Sequence, residues 1–332
     1  MPADGPSLSS GNSDRVLVTG ASGLLGQHLV RQLLSRGYPV RALVRTTQHR
    51  DLVPLDAELV PGDIRNPVDV AAAVAGCRYV FHACCTHVYN LPPQEVWAVN
   101  VDGTRRVCDA VKSSGCEKLI FTSTISTLKR IPGPHTPDSV MPARQRNTVT
   151  KQFAEDLVLD CVREGLPAVV VNPTFFVGPF DYRPSPFRLW FPLAIISRVR
   201  LVPGGGFNVV GAADVASAHL WALDHGNVGE RYPISGENIS LAKFVAAINM
   251  AVGRPGAPKT IPDWILRLMA HGRVFDSYVA GMLSRSNYVD AVSPVPKQSL
   301  DQVIHETVQW FSEYSPLIYT RALVRYVRQR YV

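Results

Sequence analysis

The run Thr19-Gly20-Ala21-Ser22-Gly23-Leu24-Leu25-Gly26 constrains this chain more than any other feature. It joins a short apolar run, Arg15–Thr19, to a helical pattern, Leu24–Ser35, with apolar residues at Leu25, Leu29, Leu33 and Leu34 and a stop at Gly37. Its glycines therefore fall where a strand turns into a helix. Gly20 permits a tight turn, Gly23 lets the backbone approach a pyrophosphate, and Gly26 lets helix and strand pack closely. The free N–H groups and positive end of the helix then face the phosphates. Strand, turn and helix are in register, so the spacing predicts a dinucleotide cradle and not an incidental turn. Gly20, Ser22, Gly23, Leu24 and Leu25 are its expected contacts.

The same alternation continues. Val40–Val44, Ala57–Pro61, Tyr79–Ala83, Lys118–Ser123 and Ala168–Asn172 read as strands, and Val68–Ala75, Val96–Ser113 and Val149–Glu164 as helices. Strands alternating with helices predict a parallel sheet covered on both faces. With 332 residues the chain suits one large α/β unit carrying an appended lobe. The expected fold class is therefore α/β, a Rossmann-type doubly wound parallel sheet with a smaller C-terminal substrate lobe. The expected division is a loose tail over residues 1–14, a dinucleotide domain over 15–172 plus about 209–235, and a substrate lobe over about 173–208 plus 236–332. Two Pro-rich stretches interrupt the rhythm. Ile131–Pro142 is expected as an exposed loop, and Pro173–Pro186 leaves the sheet, where ligand lobes are commonly inserted. Phe187–Leu201 reads either as a lid or, the favoured reading, as a packed helix of the lobe.

No apolar run is long enough to span a bilayer, and the first residues carry no secretion pattern. The six cysteines show no C-x-x-C pairing, which argues against a zinc site or a disulfide framework and for a reducing cytoplasm. The net charge is +7, part of it from Arg321, Arg325, Arg328 and Arg330, set among Leu317, Leu323, Val324, Val327 and Tyr331. That spacing makes a basic amphipathic helix, read foremost as packed on the body with a solvated face. The same pattern fits an anionic membrane surface less well. No nucleic-acid motif accompanies the charge. The sequence leaves the oligomeric state open, a homodimer included.

The end of the second strand bears on which dinucleotide is held. A carboxylate there would suit the ribose 2′-hydroxyl of NAD, whereas positive charge suits the 2′-phosphate of NADP. The chain offers Arg41 and Arg45, with Arg50 nearby and no acidic residue before Asp51. Arg45 ends the strand and is the first choice for the phosphate clamp, so NADP(H) is the expected cofactor.

At this breadth the sequence resembles the extended short-chain dehydrogenase/reductase family, nearest its dihydroflavonol-reductase-like and hopanoid-associated epimerase-like members. Beyond the glycine loop and the Val40–Arg45 strand end, the pieces are these. Gly62-Asp63-Ile64 resembles the adenine-contacting element, and His82-Ala83-Cys84-Cys85 the segment lining the cofactor. Asn100-Val101-Asp102-Gly103-Thr104 matches a helix start, and Phe121-Thr122-Ser123-Thr124 the strand carrying the catalytic hydroxyl. Asn172-Pro173-Thr174 matches the exit to the substrate lobe. The resemblance implies cofactor contacts at Asp63, Ile64, Ala83, Cys84, Lys151 and Pro173, and a substrate-polarising hydroxyl at Thr124.

The departure lies in the family's Tyr-x-x-x-Lys pair. Here the pattern is Asn147-Thr148-Val149-Thr150-Lys151, and no tyrosine occurs between Tyr89 and Tyr182. An amide donates hydrogen bonds but exchanges no proton near neutrality. General acid/base help is worth roughly 10²–10⁴ in rate, so ordinary alcohol–ketone exchange should be impaired. Three readings follow, in this order. The first is hydride delivery to an already activated acceptor (an iminium, quinone methide or conjugated alkene), with Thr124 and Asn147 orienting it and Lys151 on the ribose. The second is a non-redox cyclase, dehydratase or isomerase using His87 as acid/base, with Tyr89 and Tyr182 behind it. The third is a non-catalytic dinucleotide sensor. Phe175, Phe176, Phe180, Tyr182, Phe187 and Trp190 crowd the lobe's entrance, which favours a hydrophobic or polycyclic small molecule over a nucleotide sugar. Cys84 and Cys85 lack a cationic activator and read as small packing residues.

Overall fold

The computed structural model describes residues 14–45, 52–86, 91–129, 143–182, 190–262, 264–266, 286–290 and 293–314, with the backbone alone at 143–146 and 286. His87, Phe187, the Pro-rich loop 131–142, the N-terminal tail up to residue 13 and the basic end from Leu317 lie outside the described residues. Asp14, expected in the tail, is buried and pairs with Arg78.

Six strands of the large sheet form where the apolar runs predict them, and a seventh joins at its edge. Seven strands lie in the order β10 (Arg231–Ile234), β6 (Ala168–Pro173), β5 (Lys118–Thr122), β4 (Tyr79–His82), β1 (Val16–Thr19), β2 (Val40–Val44) and β3 (Glu58–Pro61). Every pairing in it is parallel. The strands β1, β2 and β6 are buried along their whole length, because helices cover both faces of a parallel sheet. On one face α1 (Leu24–Ser35) and α7 (Ala212–His225) pack together over β1, β2, β5 and β6. On the other lie α2 (Pro67–Val74), α4 (Gly103–Ser114) and α5 (Ala143–Arg163). Phe81 and Phe121 are fully buried in these layers, each worth about 1.5–3 kcal/mol of burial. The chain order reverses between β1 and β4, and the crevice beyond their carboxyl ends is where such sheets bind ligands.

One expected helix is interrupted. Val96–Ser113 resolves into α3 (Pro93–Trp97), a π-helical turn over Ala98–Asp102, and α4. Periodicity does not reveal a single inserted residue, and π-turns of this kind cluster at functional sites.

The remaining chain builds a smaller unit. There β9 (Gly206–Gly211) pairs with β7 (Phe175–Val177), β11 (Glu237–Ser240) and β13 (Ser286–Asn287), while β8 (Leu201–Pro203) pairs with β12 (Lys259–Ile261). Its core gathers Phe191 of α6 (Trp190–Ile196), Phe244 of α8 (Leu241–Ala251) and Phe311 of α9 (Leu300–Tyr314), with Phe191 and Phe311 stacked at 5.6 Å. The segment read as lid or packed helix is thus packed, since Phe191 is fully buried. Val209 stays in the small sheet, and the return to the large sheet is made by α7 and β10.

Candidate cofactor and active site

The glycine loop has the shape its spacing predicts. Gly20 adopts φ +70°, and a Cβ there would lie 2.8 Å from the backbone of Cys84. A Cβ on Gly26 would lie 2.1 Å from the Gly20 carbonyl oxygen. The helix α1 opens at Gly23 with no side-chain cap and no acidic residue in its first turn. Its orphan N–H groups are therefore left to an anion. Ser22, Leu24 and Leu25 are buried beneath the loop. A pyrophosphate fits this cradle, because Gly20 and Gly26 hold the loop in a turn no side chain would allow and the uncapped first turn of α1 carries no acidic residue.

A histidine fastens the loop from below. His82, at the end of β4, accepts from Thr19 Oγ1 at Nδ1 (2.7 Å) and donates from Nε2 to Thr104 Oγ1 (3.0 Å), whose own hydroxyl donates to the Asn100 carbonyl (2.7 Å). That chain of donors assigns the neutral Nε2–H tautomer. Burial pushes its pKa down to about 3, with the charge of Lys151 adding to the effect.

Ala83 and Cys84 follow β4 into the crevice and are half-buried, as is Cys85, so the expected tight packing of both cysteines is only partial. The six cysteines are free. The Cys84 amide donates to Thr19 Oγ1 (3.4 Å). Asn100, inside the π-turn, clamps the next residue. Its Oδ1 accepts from the Thr86 amide (2.8 Å), and its Nδ2 donates to the Thr86 carbonyl (2.9 Å) and to Thr150 Oγ1 (3.0 Å). Asn100 thus ties the cofactor-lining loop to α5. The helix start Asn100–Thr104 was visible in the sequence; this bridging role was not.

At the adenosine end, Arg41 and Arg45 part ways. Arg41 is buried in β2 and donates to the carbonyls of Ala73 (2.9 Å) and Ala75 (2.8 Å), while pairing with Glu58 at 3.1 Å. It caps α2 and is not available to a phosphate. Arg45 is exposed at the end of β2, and among the described residues no carboxylate forms an ion pair with it. Asp63 is engaged by Arg65 through Nη2 at 2.6 Å and Nε at 3.0 Å, which holds its carboxyl below the usual range. Ile64 is buried, within 3.1 Å of where a Cβ on Gly103 would lie.

The catalytic-side candidates meet at the end of β5. Thr122 is buried and donates from Oγ1 to His219 Nε2 (2.8 Å), and Ser123 is buried and donates to Glu155. Thr124 alone of these three hydroxyls is half-exposed, its Oγ1 accepting from the Ser126 amide (3.4 Å). Lys151 is buried, donates from Nζ to the Thr122 carbonyl (2.5 Å), and lies 4.5 Å from the centre of the Phe121 ring. Burial lowers its pKa. Asn147 sits one turn earlier on α5, on the face that carries Lys151. Its Oδ1 is buried and has no hydrogen-bond partner among the described residues. Pro173 ends β6 beside Thr174, whose amide donates to the Ile234 carbonyl (2.8 Å).

Most of the aromatics expected at the entrance are packed. Phe175 meets Phe207 at 5.2 Å, and Phe180 and Tyr182 meet Trp310 at 6.3 Å and 5.0 Å. Among the described residues no cluster of His, Cys, Asp or Glu could hold a metal ion, and no helix is long and apolar enough to cross a membrane.

Residues 16–235 match the model of the NAD dependent epimerase/dehydratase family. A protein of Synechocystis sp. bearing a provisional dihydroflavonol 4-reductase name is 29% identical, over 91% of this chain and 96% of that one. Sterol demethylase protein B of Methylococcus capsulatus is 32% identical, over 76% of this chain and 79% of its own. Among solved structures, that of gox2253 superposes with a TM-score of 0.76 at 27% identity, covering 91% of this chain and 99% of that one.

Proposed function

Because the chain belongs to the NAD dependent epimerase/dehydratase family, we propose that it is an NADP(H)-dependent reductase acting on an activated, hydrophobic acceptor. The observation that carries this reading is the pairing of Lys151 and Thr124 with Asn147 where a tyrosine would serve as proton donor. Two relatives support the hydrophobic character of the acceptor by their names, one bearing a provisional dihydroflavonol 4-reductase name and the other named a sterol demethylase protein. Support for the 2′-phosphate comes from Arg45, since Asp63, the nearby acid, is already neutralised by Arg65. Of the two arginines described at this strand end, Arg45 is the one left for the clamp, because Arg41 is spent on α2.

NADPH supplies the hydride when it binds. The residues of this chain hold and orient. Lys151, whose Nζ donates to the Thr122 carbonyl at the end of β5, would hold the nicotinamide ribose and supply positive charge beside it. Thr124 donates to the acceptor's polar atom, and the Asn147 amide accepts and donates hydrogen bonds there without giving up a proton. An iminium becomes a neutral amine on hydride addition, so no proton donor is required. A quinone methide, or an alkene conjugated to a carbonyl, leaves an oxyanion, which these donors and the Lys151 charge would stabilise until water protonates it.

The test is paired. NADPH and NADH are titrated by fluorescence, then the parent and Asn147→Tyr are assayed with an iminium, a conjugated alkene and a simple ketone. The parent should consume NADPH with an activated acceptor and leave the ketone untouched, and the variant should gain ketone reduction. Efficient ketone reduction by the parent would refute the proposal.

A further inference from the structure

We propose that Glu155 is a positioning residue whose buried carboxylate fixes the backbone of residues 123–127 and so aims the Thr124 hydroxyl into the cleft. The inference deepens the proposed reductase reading and, for its catalytic part, rests on it.

Glu155 lies one helical turn beyond Lys151 on α5 and is only 2% exposed. A carboxylate at such depth is costly unless its oxygens are fully engaged. Here Oε2 accepts from Ser123 Oγ, from Thr127 Oγ1 (2.7 Å) and from Asn172 Nδ2 (2.8 Å), while Oε1 pairs with Arg231 Nε at 2.9 Å. These partners come from the end of β5, the turn after it, the end of β6 and the edge strand β10. The convergence is on one short segment. Thr127 Oγ1 also lies 2.7 Å from the Thr124 carbonyl, so its single hydrogen is shared between that oxygen and Glu155 Oε2; Asn172 Nδ2 donates to the same carbonyl (3.2 Å), and the Thr127 amide closes the turn onto it (3.1 Å). Every hydrogen bond that holds the Thr124 carbonyl is thus made by a group that itself touches, or adjoins one touching, the Glu155 carboxylate.

The arrangement also explains why the ligand-facing hydroxyl is Thr124. Ser123 is turned inward and held by Glu155, so the next side chain along the extended backbone points the other way, toward the crevice. An apolar residue at 155 would take from Ser123 its carboxylate acceptor and leave Thr127 Oγ1 and Asn172 Nδ2 only the weaker neutral acceptors around them. A glutamine would offer one carbonyl oxygen for two opposed sets of donors and set its NH₂ against one of them.

The experiments use the full-length protein. In Glu155→Gln, hydrogen-exchange mass spectrometry should show the 123–128 peptide exchanging about tenfold faster, with peptides of β1 and α7 at parental rates. Should this variant lose its fold, exchange will rise everywhere, and Ser123→Ala and Thr127→Val, which each remove one donor and keep the carboxylate, then serve in its place. Parental exchange at 123–128 in the folded variants overturns the inference. The second measurement is a double-mutant cycle with Thr124→Val, reading NADPH-dependent reduction of the activated acceptor. Glu155→Gln should lower kcat about tenfold, leave the NADPH Kd within about twofold, and cost less than about twofold in the Thr124→Val background. Additive losses overturn the inference. If the parent reduces no acceptor, the reductase reading fails, and the exchange experiment alone decides whether Glu155 places Thr124.

Discussion

Three buried histidines make the stability of this protein steeply dependent on pH. His82, His28 and His219 have pKa values pushed down by burial to about 3, about 4 and about 4. Each is held neutral by its burial, which outweighs the carbonyl bonds that favour the protonated ring in His28 and His219. His28 bonds the Pro179 carbonyl at 3.2 Å, and His219 donates from Nδ1 to the Val215 carbonyl (2.8 Å) while accepting from Thr122. Their folded values lie below the unfolded value near 6.5, so between the two the unfolded chain holds the extra proton. The stabilisation is complete above about pH 6.5 and is lost as pH falls toward 4. From pH 7 to pH 5 an unfolded histidine goes from about a quarter protonated to almost fully protonated, which lowers stability by about 2 kcal/mol per buried site. Three sites give about 6 kcal/mol, comparable with the whole stability of many domains. Urea unfolding followed by circular dichroism at half-unit steps should show the midpoint falling through this window, well above the range where carboxylates titrate. His28→Gln, which keeps a donor for Pro179, should flatten the profile by about a third. A midpoint constant from pH 7 to pH 5 would refute the assignment of neutral, buried imidazoles.

Other perturbations test the cofactor cleft. Arg45→Asp should weaken NADPH about ten- to hundredfold, the worth of a charge-assisted clamp, and leave NADH unharmed, as read by calorimetry. Equal losses for both nucleotides would sink the 2′-phosphate assignment. Gly26→Ala places a Cβ 2.1 Å from the Gly20 carbonyl oxygen and should abolish NADPH binding by displacing the loop; a parental NADPH Kd in that variant would count against the cradle. Arg41→Met should leave the NADPH Kd unchanged and lower the thermal midpoint, because its guanidinium caps α2 and does not face the ligand.

What the sequence determined by itself is what local chemistry dictates. The glycine loop, the buried strands and the helix faces were legible because each is set by spacing within a few residues: small residues where a helix must open, apolar runs where both faces are covered. The presence of Lys151 and Asn147 one turn apart was legible for the same reason. Tertiary structure decided the fates of chemically identical side chains. Arg41 lies in β2 and Arg45 directly follows it, and only packing against the end of α2 shows that the first is consumed while the second stays exposed. Among Thr122, Ser123 and Thr124, which hydroxyl stays partly exposed depends on His219 and Glu155, which are distant in sequence and reach the segment only through the folded sheet. The Asn100 clamp within the π-turn likewise rests on long-range hydrogen bonds, to Thr86 and Thr150, that no periodicity records.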